Sequence, residues 1–242
     1  MLDFQFTIIT GHYGVGKTNL ALNLARDAAL SGRGQVMLVD LDIVNPYFRS
    51  SDYPQLLDDY GIRLVAPTFA RTTLESPSLP AAVSAAFDHA GPVFFDVGGD
   101  DDGATTLGRY RNEIQTRAAT LRENPNGYAF LYVVNRYRNL STTPTEAVLL
   151  LREIEAACGL TATGIVNNSH LQIETTLDVV AAAADFGVAV ARLARLPLVA
   201  TTLPAALMDA AATDTRLAQA PGGAATLGEL LPIQTLVTTP WS

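Results

Sequence analysis

Lys17 is the only lysine in the chain, and it lies in Gly11-His12-Tyr13-Gly14-Val15-Gly16-Lys17-Thr18. The other fifteen of the sixteen basic residues are arginines. The run matches G-x-x-x-x-G-K-[ST], the pattern of a phosphate-binding loop. In such a loop backbone N–H groups form an anion nest, and the helix behind adds the positive end of its dipole. Gly14 and Gly16 let the backbone approach oxygen atoms with no Cβ in the way. Lys17 is placed to reach β- and γ-phosphate oxygens, and Thr18 to ligate Mg²⁺. A guanidinium is too wide and too forked to replace a compact ammonium in that role. A bias towards arginine codons explains the missing lysines but not the location of the remaining one. The expected nucleotide contacts are Gly11, His12, Tyr13, Gly14, Val15, Gly16, Lys17, Thr18 and Asn19, with Lys17 also catalytic.

Two further segments supply carboxylates. Val39-Asp40-Leu41-Asp42 ends an apolar run, and ligands of an open α/β sheet bind at the carboxyl ends of its strands. Asp40 is expected in the Mg²⁺ shell, and Asp42 is expected to position or deprotonate an attacking water. Phe94-Phe95-Asp96-Val97-Gly98-Gly99 has a second apolar run ending in Asp. That is the Walker B layout, with Asp96 joining the Mg²⁺ shell. Gly98 and Gly99 would let a backbone N–H sense a γ-phosphate. Asp100, Asp101 and Asp102 read as the cap and first turn of the next helix rather than as catalytic groups.

Gly164-Ile165-Val166-Asn167-Asn168-Ser169-His170 ends a late strand in Asn. An Asn amide donates and accepts at once, as recognition of a purine edge requires. Asn167 is the candidate base reader, with Asn168 as a turn residue. Asn135 ends another strand in the same way and competes with it; either can equally be a turn-forming Asn.

The elements that must carry these groups alternate short apolar runs with longer helical patterns, which predicts βαβ units and a parallel sheet. Strands are expected at 4–10, 36–40, 62–66, 93–97, 130–135, 164–167 and 189–193. Helices are expected at 17–30, 80–89, 105–123, 144–158 and 174–186, with shorter pieces near 204–211 and 227–231. Thr143-Pro144-Thr145-Glu146 reads as an N-cap, a Pro at N1 and a capping Glu, and Gly159 as the stop. The strands are near-continuous apolar runs, as expected when both faces are covered. The expectation is an α/β three-layer P-loop NTPase fold. It has a mostly parallel twisted sheet of about seven strands, helices on both faces, and one domain over 1–242.

Bulk properties exclude several classes. The chain has 242 residues, is 48% hydrophobic and carries a net charge of −8 with no basic run. Nucleic-acid binding through a polycationic face is therefore not expected. The single Cys158 rules out an internal disulfide or a C-x-x-C site within one chain. Neither a signal peptide nor a span-length apolar stretch is evident, and no basic amphipathic helix marks the C-terminal tail, so no membrane contact is expected. A cytoplasmic setting fits.

The phosphate loop, followed in order by Asp40-Leu41-Asp42 and Asp96-Val97-Gly98-Gly99, resembles the CobQ/CobB/MinD/ParA group of deviant Walker A ATPases over roughly residues 4–200. The resemblance implies ATP and Mg²⁺ as ligands, slow ATP hydrolysis, a homodimer, and a nucleotide switch acting on a protein client. The family loop has a further lysine that reaches the partner subunit's nucleotide. Here that position is His12, and Tyr13 follows where the family has Gly. The trans lysine is absent, and either dimer-coupled hydrolysis is lost or His12 takes a weaker form of the role. Two alternatives stand beside the switch. One is a dethiobiotin-synthetase-like kinase or ligase, with Arg49, Arg71, Arg109 or Arg111 holding a small anionic acceptor. The other is a non-catalytic nucleotide sensor that needs a partner to turn over.

Overall fold

Short runs of Val, Ile, Leu and Phe, buried on both faces, build the centre of the molecule. The computed structural model describes residues 2–42, 50–66, 79–99, 101–121, 127–139, 142–217 and 227–237. Arg49, Arg71 and Asp100 lie outside the described residues. Eight strands are present among them: β1 (Phe6–Thr10), β2 (Met37–Leu41), β3 (Arg63–Val65), β4 (Val93–Val97), β5 (Tyr128–Val134), β6 (Gly164–Asn167), β7 (Leu198–Pro204) and β8 (Glu229–Ile233). They form one sheet in the order β3-β2-β4-β1-β5-β6-β7-β8. Every pairing is parallel. β1 is central, and the chain leaves it first towards β2 and later, from β4, crosses to β5. The carboxyl end of β1 is therefore a topological switch point, where doubly wound sheets bind ligands.

The helices are α1 (Lys17–Leu30), α2 (Pro54–Asp59), α3 (Leu79–Phe87), α4 (Asp101–Gly108), α5 (Arg111–Thr120), α6 (Pro144–Cys158), α7 (Leu177–Ala182), α8 (Ala184–Ala194) and α9 (Met208–Thr213). On one face of the sheet Leu20, Ala21 and Leu24 of α1 pack on Ile9, Leu38, Phe94 and Leu131. On the other, α3 to α6 and α8 cover Ile8, Val39, Phe95, Phe130 and Ile165. The fold is that of the P-loop NTPases, with helices on both faces of a parallel sheet. Among the described residues no helix is long and apolar enough to cross a membrane.

Several boundaries match the sequence reading, and some elements do not. Thr143 and Glu146 form a reciprocal capping box at the start of α6, and Gly159 ends that helix in the left-handed conformation. The expected strand at 189–193 lies inside α8. There the buried residues Phe186, Gly187, Val190, Ala191 and Ala194 follow helical rather than alternating spacing. The seventh strand is Leu198–Pro204 instead. The helical piece expected near 227–231 is the eighth strand, β8, at the sheet edge. An edge strand tolerates Pro232 because one side of its ladder needs no N–H donor. The long helix expected at 105–123 is split, with Arg109 and Tyr110 between α4 and α5.

Candidate functional site

β1 delivers the chain to Gly11 at the switch point, and the loop turns into α1 at Gly16. Gly16 is the N-cap, with φ 89 and ψ 25, a left-handed conformation that glycine adopts without strain. A Cβ there would also stand 2.5 Å from Asn168 Nδ2 and 2.9 Å from His170 Nε2. Lys17 is 5% exposed, and its Nζ donates to His12 O at 3.3 Å. The side chain thus folds back along the loop it follows. The N-terminus of α1 points its amide groups and the positive end of its dipole into the space the loop encloses. Tyr13 stands out from the loop tip, 56% exposed.

Asp40 and Asp96 come to this place through strand register. They are register partners across β2 and β4, on the face that α1 covers, and both are fully buried. Ser50 donates to Asp96 Oδ2 at 2.8 Å, and the Thr18 hydroxyl also bonds the Asp96 carboxylate. Burial, and then the neighbouring Asp40, push the Asp96 carboxyl up to about 7, against the opposing pull of Lys17 and the two hydroxyls. Asp96 Oδ1 is buried with no hydrogen-bond partner among the described residues. An orphaned carboxylate oxygen beside a second carboxylate and a threonine is a set of hard donors that fits Mg²⁺. That ion takes few protein carboxylates and completes its shell with water and phosphate. No cluster of three or more His, Cys, Asp or Glu able to hold a metal occurs among the described residues, so the candidate set is Thr18, Asp40 and Asp96. The buried Asp42 follows directly, and its N–H donates to Asp40 Oδ1 at 3.1 Å.

The loop after β4 touches the phosphate loop itself. A Cβ on Gly99 would fall 1.8 Å from Gly11 O and 2.9 Å from His12 C, so only glycine lets the two backbones lie together. Gly98 is packed in turn under Gly103 of α4. The loop after β4 and the phosphate loop are thus in direct backbone contact.

The two asparagine candidates, Asn167 and Asn135, are both buried in the fold. Asn167 is fully buried, donating from Nδ2 to Ala183 O at 3.0 Å and accepting at Oδ1 from Ser169 Oγ at 2.6 Å. Its amide faces the α7–α8 junction. Asn135 is also fully buried, and its Oδ1 accepts from Tyr137 N at 3.0 Å. Both amides make hydrogen bonds within the chain. Asn168, expected as a turn residue, clamps the phosphate loop instead. Its Nδ2 donates to Val15 O at 2.7 Å, and its Oδ1 accepts from Thr202 Oγ1 at 2.5 Å.

Asn19 is one turn inside α1. Its Nδ2 donates to Gln234 O at 2.9 Å, and its Oδ1 accepts from Leu236 N and Val237 N at 2.8 and 3.1 Å. Asn23 and Arg26 extend the same contact to Gln234. Asn19 therefore holds the C-terminal segment. His12 has its pKa lowered, first by burial and then by Lys17, which disfavours the cationic form that a weaker version of the family lysine's role would need. Arg111 packs on Gly159 at the C-terminal end of α6, and Gly108 packs on Ala157 and Cys158. This is the amino edge of the sheet, opposite the phosphate loop, which removes Arg109 and Arg111 as holders of an acceptor. Ser50 and Arg138 belong to no local motif, and no sequence signal marks them or the clamping role of Asn168.

No family model and no curated protein sequence matches the chain. Its fold is similar to that of FtsY from Mycoplasma mycoides, with a TM-score of 0.51 and 16% identity, over 81% of this chain and 58% of that one. A cell division protein FtsY from Thermotoga maritima aligns with a TM-score of 0.44 and 20% identity, over 69% and 55% of the two chains. The signal recognition particle 54 kDa protein from Aeropyrum pernix, solved in complex with GDP, aligns with a TM-score of 0.42 and 17% identity, over 68% and 35%. The matched part thus spans less than two thirds of each of these proteins. The likeness is one of fold, that of P-loop NTPases.

Proposed function

We propose that the chain is a Mg²⁺-dependent ATP-binding protein that hydrolyses ATP slowly on its own and acts as a nucleotide switch on a protein client. It would be a single domain over 1–242, cytoplasmic and homodimeric, akin to the CobQ/CobB/MinD/ParA group. The observation that carries this reading is the convergence of Lys17 and Thr18 with the register pair Asp40–Asp96 at the switch point of the sheet. In this reading Lys17 binds the β- and γ-phosphate oxygens, while Gly11 to Gly16 wrap them with backbone N–H groups. Thr18, Asp40 and Asp96 hold Mg²⁺, which supplies charge neutralisation on the triphosphate. Asp42 orients the attacking water or accepts its proton. Gly98 and Gly99, lying on Gly11, carry the presence or loss of the γ-phosphate into α4.

For the kinase or ligase alternative, Arg109 and Arg111 sit at the far edge of the sheet, which leaves Arg49 and Arg71, outside the described residues, to hold an acceptor. The test is phosphate release from Mg-ATP by the purified protein, with Mg-GTP in parallel and Lys17→Ala as the contamination control. Slow release from ATP, lost in the variant, supports the reading. Release equal in the variant, or no binding of either nucleotide, overturns it.

A further inference from the structure

We propose that Arg138 is a second cation of the phosphate site, supplied in cis and contacting the polyphosphate of the bound nucleotide. The inference rests on the nucleotide-binding reading above and adds to it a residue outside every motif.

The loop tip itself locates Arg138. The three heavy atoms nearest to where a Cβ on Gly14 would stand are Nε, Cδ and Cζ of Arg138, at 3.7, 3.8 and 3.9 Å. The half-buried side chain therefore lies beside the tip of the phosphate loop, its guanidinium end at van der Waals distance from the point where a Cβ on Gly14 would stand. The turn that carries it is fixed from both sides. Arg138 N donates to Asn135 O at 3.2 Å, Tyr137 N to Asn135 Oδ1 at 3.0 Å, and Arg136 N to Ser169 Oγ at 2.9 Å. Its two predecessors point elsewhere: the Arg136 guanidinium donates to Ala182 O, and the Tyr137 hydroxyl to Val179 O, both on the α7 side. Of the three, Arg138 alone turns back over the loop.

Charge decides what it does there. Among the described residues, three cation-capable side chains flank the loop besides Lys17: His12, His170 and Arg138. His12 is shifted towards its neutral form by burial and by Lys17. His170 stands beside Gly16, and its Nδ1 accepts from Gln172 N at 3.1 Å, which leaves any proton on Nε2 and the ring neutral. Burial, with Arg138 nearby, pushes His170 down to about 4. Arginine stays protonated throughout, so Arg138 is the permanent charge of the three. A triphosphate needs more positive charge than one lysine and a divalent ion supply, and a guanidinium meets phosphate oxygens with two parallel N–H donors.

The experiment measures dissociation constants for Mg-ATP and for inorganic tripolyphosphate with Mg²⁺. The proteins compared are the wild type, Arg138→Gln, Arg138→Lys and Lys17→Ala, each checked for folding by its thermal melt. Arg138→Gln should weaken both ligands by about tenfold or more, and Arg138→Lys should recover part of the loss. Wild-type affinity in Arg138→Gln, with Lys17→Ala inactive, overturns this inference and leaves the nucleotide reading standing. Weakened ATP with unchanged tripolyphosphate also overturns it, since the contact would then be with the nucleoside. If the wild type binds neither ligand, the nucleotide reading fails and this inference falls with it.

Discussion

Asp40 and Asp96 face the same side of the sheet from directly paired positions on β2 and β4, each fully buried. Two carboxylates so placed do not both ionise without a compensating cation, because desolvation and mutual repulsion both favour the neutral acid. Asp96 carries the consequence, being raised from 3.8 to about 7. The unfolded chain gives up this proton near pH 4, whereas the folded chain holds it to about 7. Between those values the folded state binds more protons, so its stability falls as pH rises and levels off above 7. In the absence of Mg²⁺ the melting temperature of the wild type should therefore drop between pH 5 and pH 8. Asp96→Asn should lessen that drop. A wild-type pH profile in Asp96→Asn would show that the pH dependence does not originate at this pair.

Replacing Lys17 tests the loop. Lys17 Nζ donates to a backbone carbonyl of its own loop, and its charge opposes the raising of Asp96. Lys17→Ala should keep the fold and lose triphosphate affinity by about 100-fold or more, the scale of a charge-assisted contact to phosphate in a secluded site. Titration calorimetry with Mg-ATP reads this directly. An unchanged titration would remove the loop assignment.

Asp42 separates binding from chemistry. The contact that ties it to Asp40 is made by its backbone N–H, which any side chain retains. Asp42→Ala should bind Mg-ATP as the wild type does, while phosphate release falls by about 100-fold, the lower range for loss of a general base. Normal turnover in this variant would move the water-positioning role elsewhere.

The parts of this site that are legible in the sequence are those encoded within a few residues. The glycines and lysine of the loop fix a strand, a turn and a helix start in continuous order, and Val93–Val97 and Gly164–Asn167 are apolar runs with clear ends. Register and long-range clamps are not legible. Nothing near Asp40 announces that it will stand opposite Asp96, 56 positions later in the chain. Asn168 reads as a turn residue because its partners, Val15 and Thr202, are 153 and 34 residues away. The apolar stretch of α8 reads as a strand because Val188 and Val190 alternate locally, and the helical period appears only over Phe186 to Ala194. β8 does not read as a strand because Gly228 and Pro232 suppress the pattern, which the sheet edge permits.

Asn167 and Asn168 are neighbours with opposite faces, and their alanine variants should behave differently. Asn168→Ala removes the bond to Val15 O at 2.7 Å and the one to the Thr202 hydroxyl at 2.5 Å, leaving that hydroxyl only Asn167 O at 3.5 Å. The expected cost is about 1–3 kcal/mol of stability. Triphosphate affinity should fall with it, because Val15 belongs to the loop that wraps the phosphates. Asn167→Ala loses its bonds to Ala183 and Ser169 at the α7–α8 junction and should cost a similar amount of stability. Its ratio of ATP to GTP affinity should stay at the wild-type value, since the amide is turned away from the loop. Thermal melts and paired nucleotide titrations on the two variants provide the comparison. A changed ATP-to-GTP ratio in Asn167→Ala would return the base-reading role to this residue, and would mean that the α7–α8 junction opens when nucleotide binds.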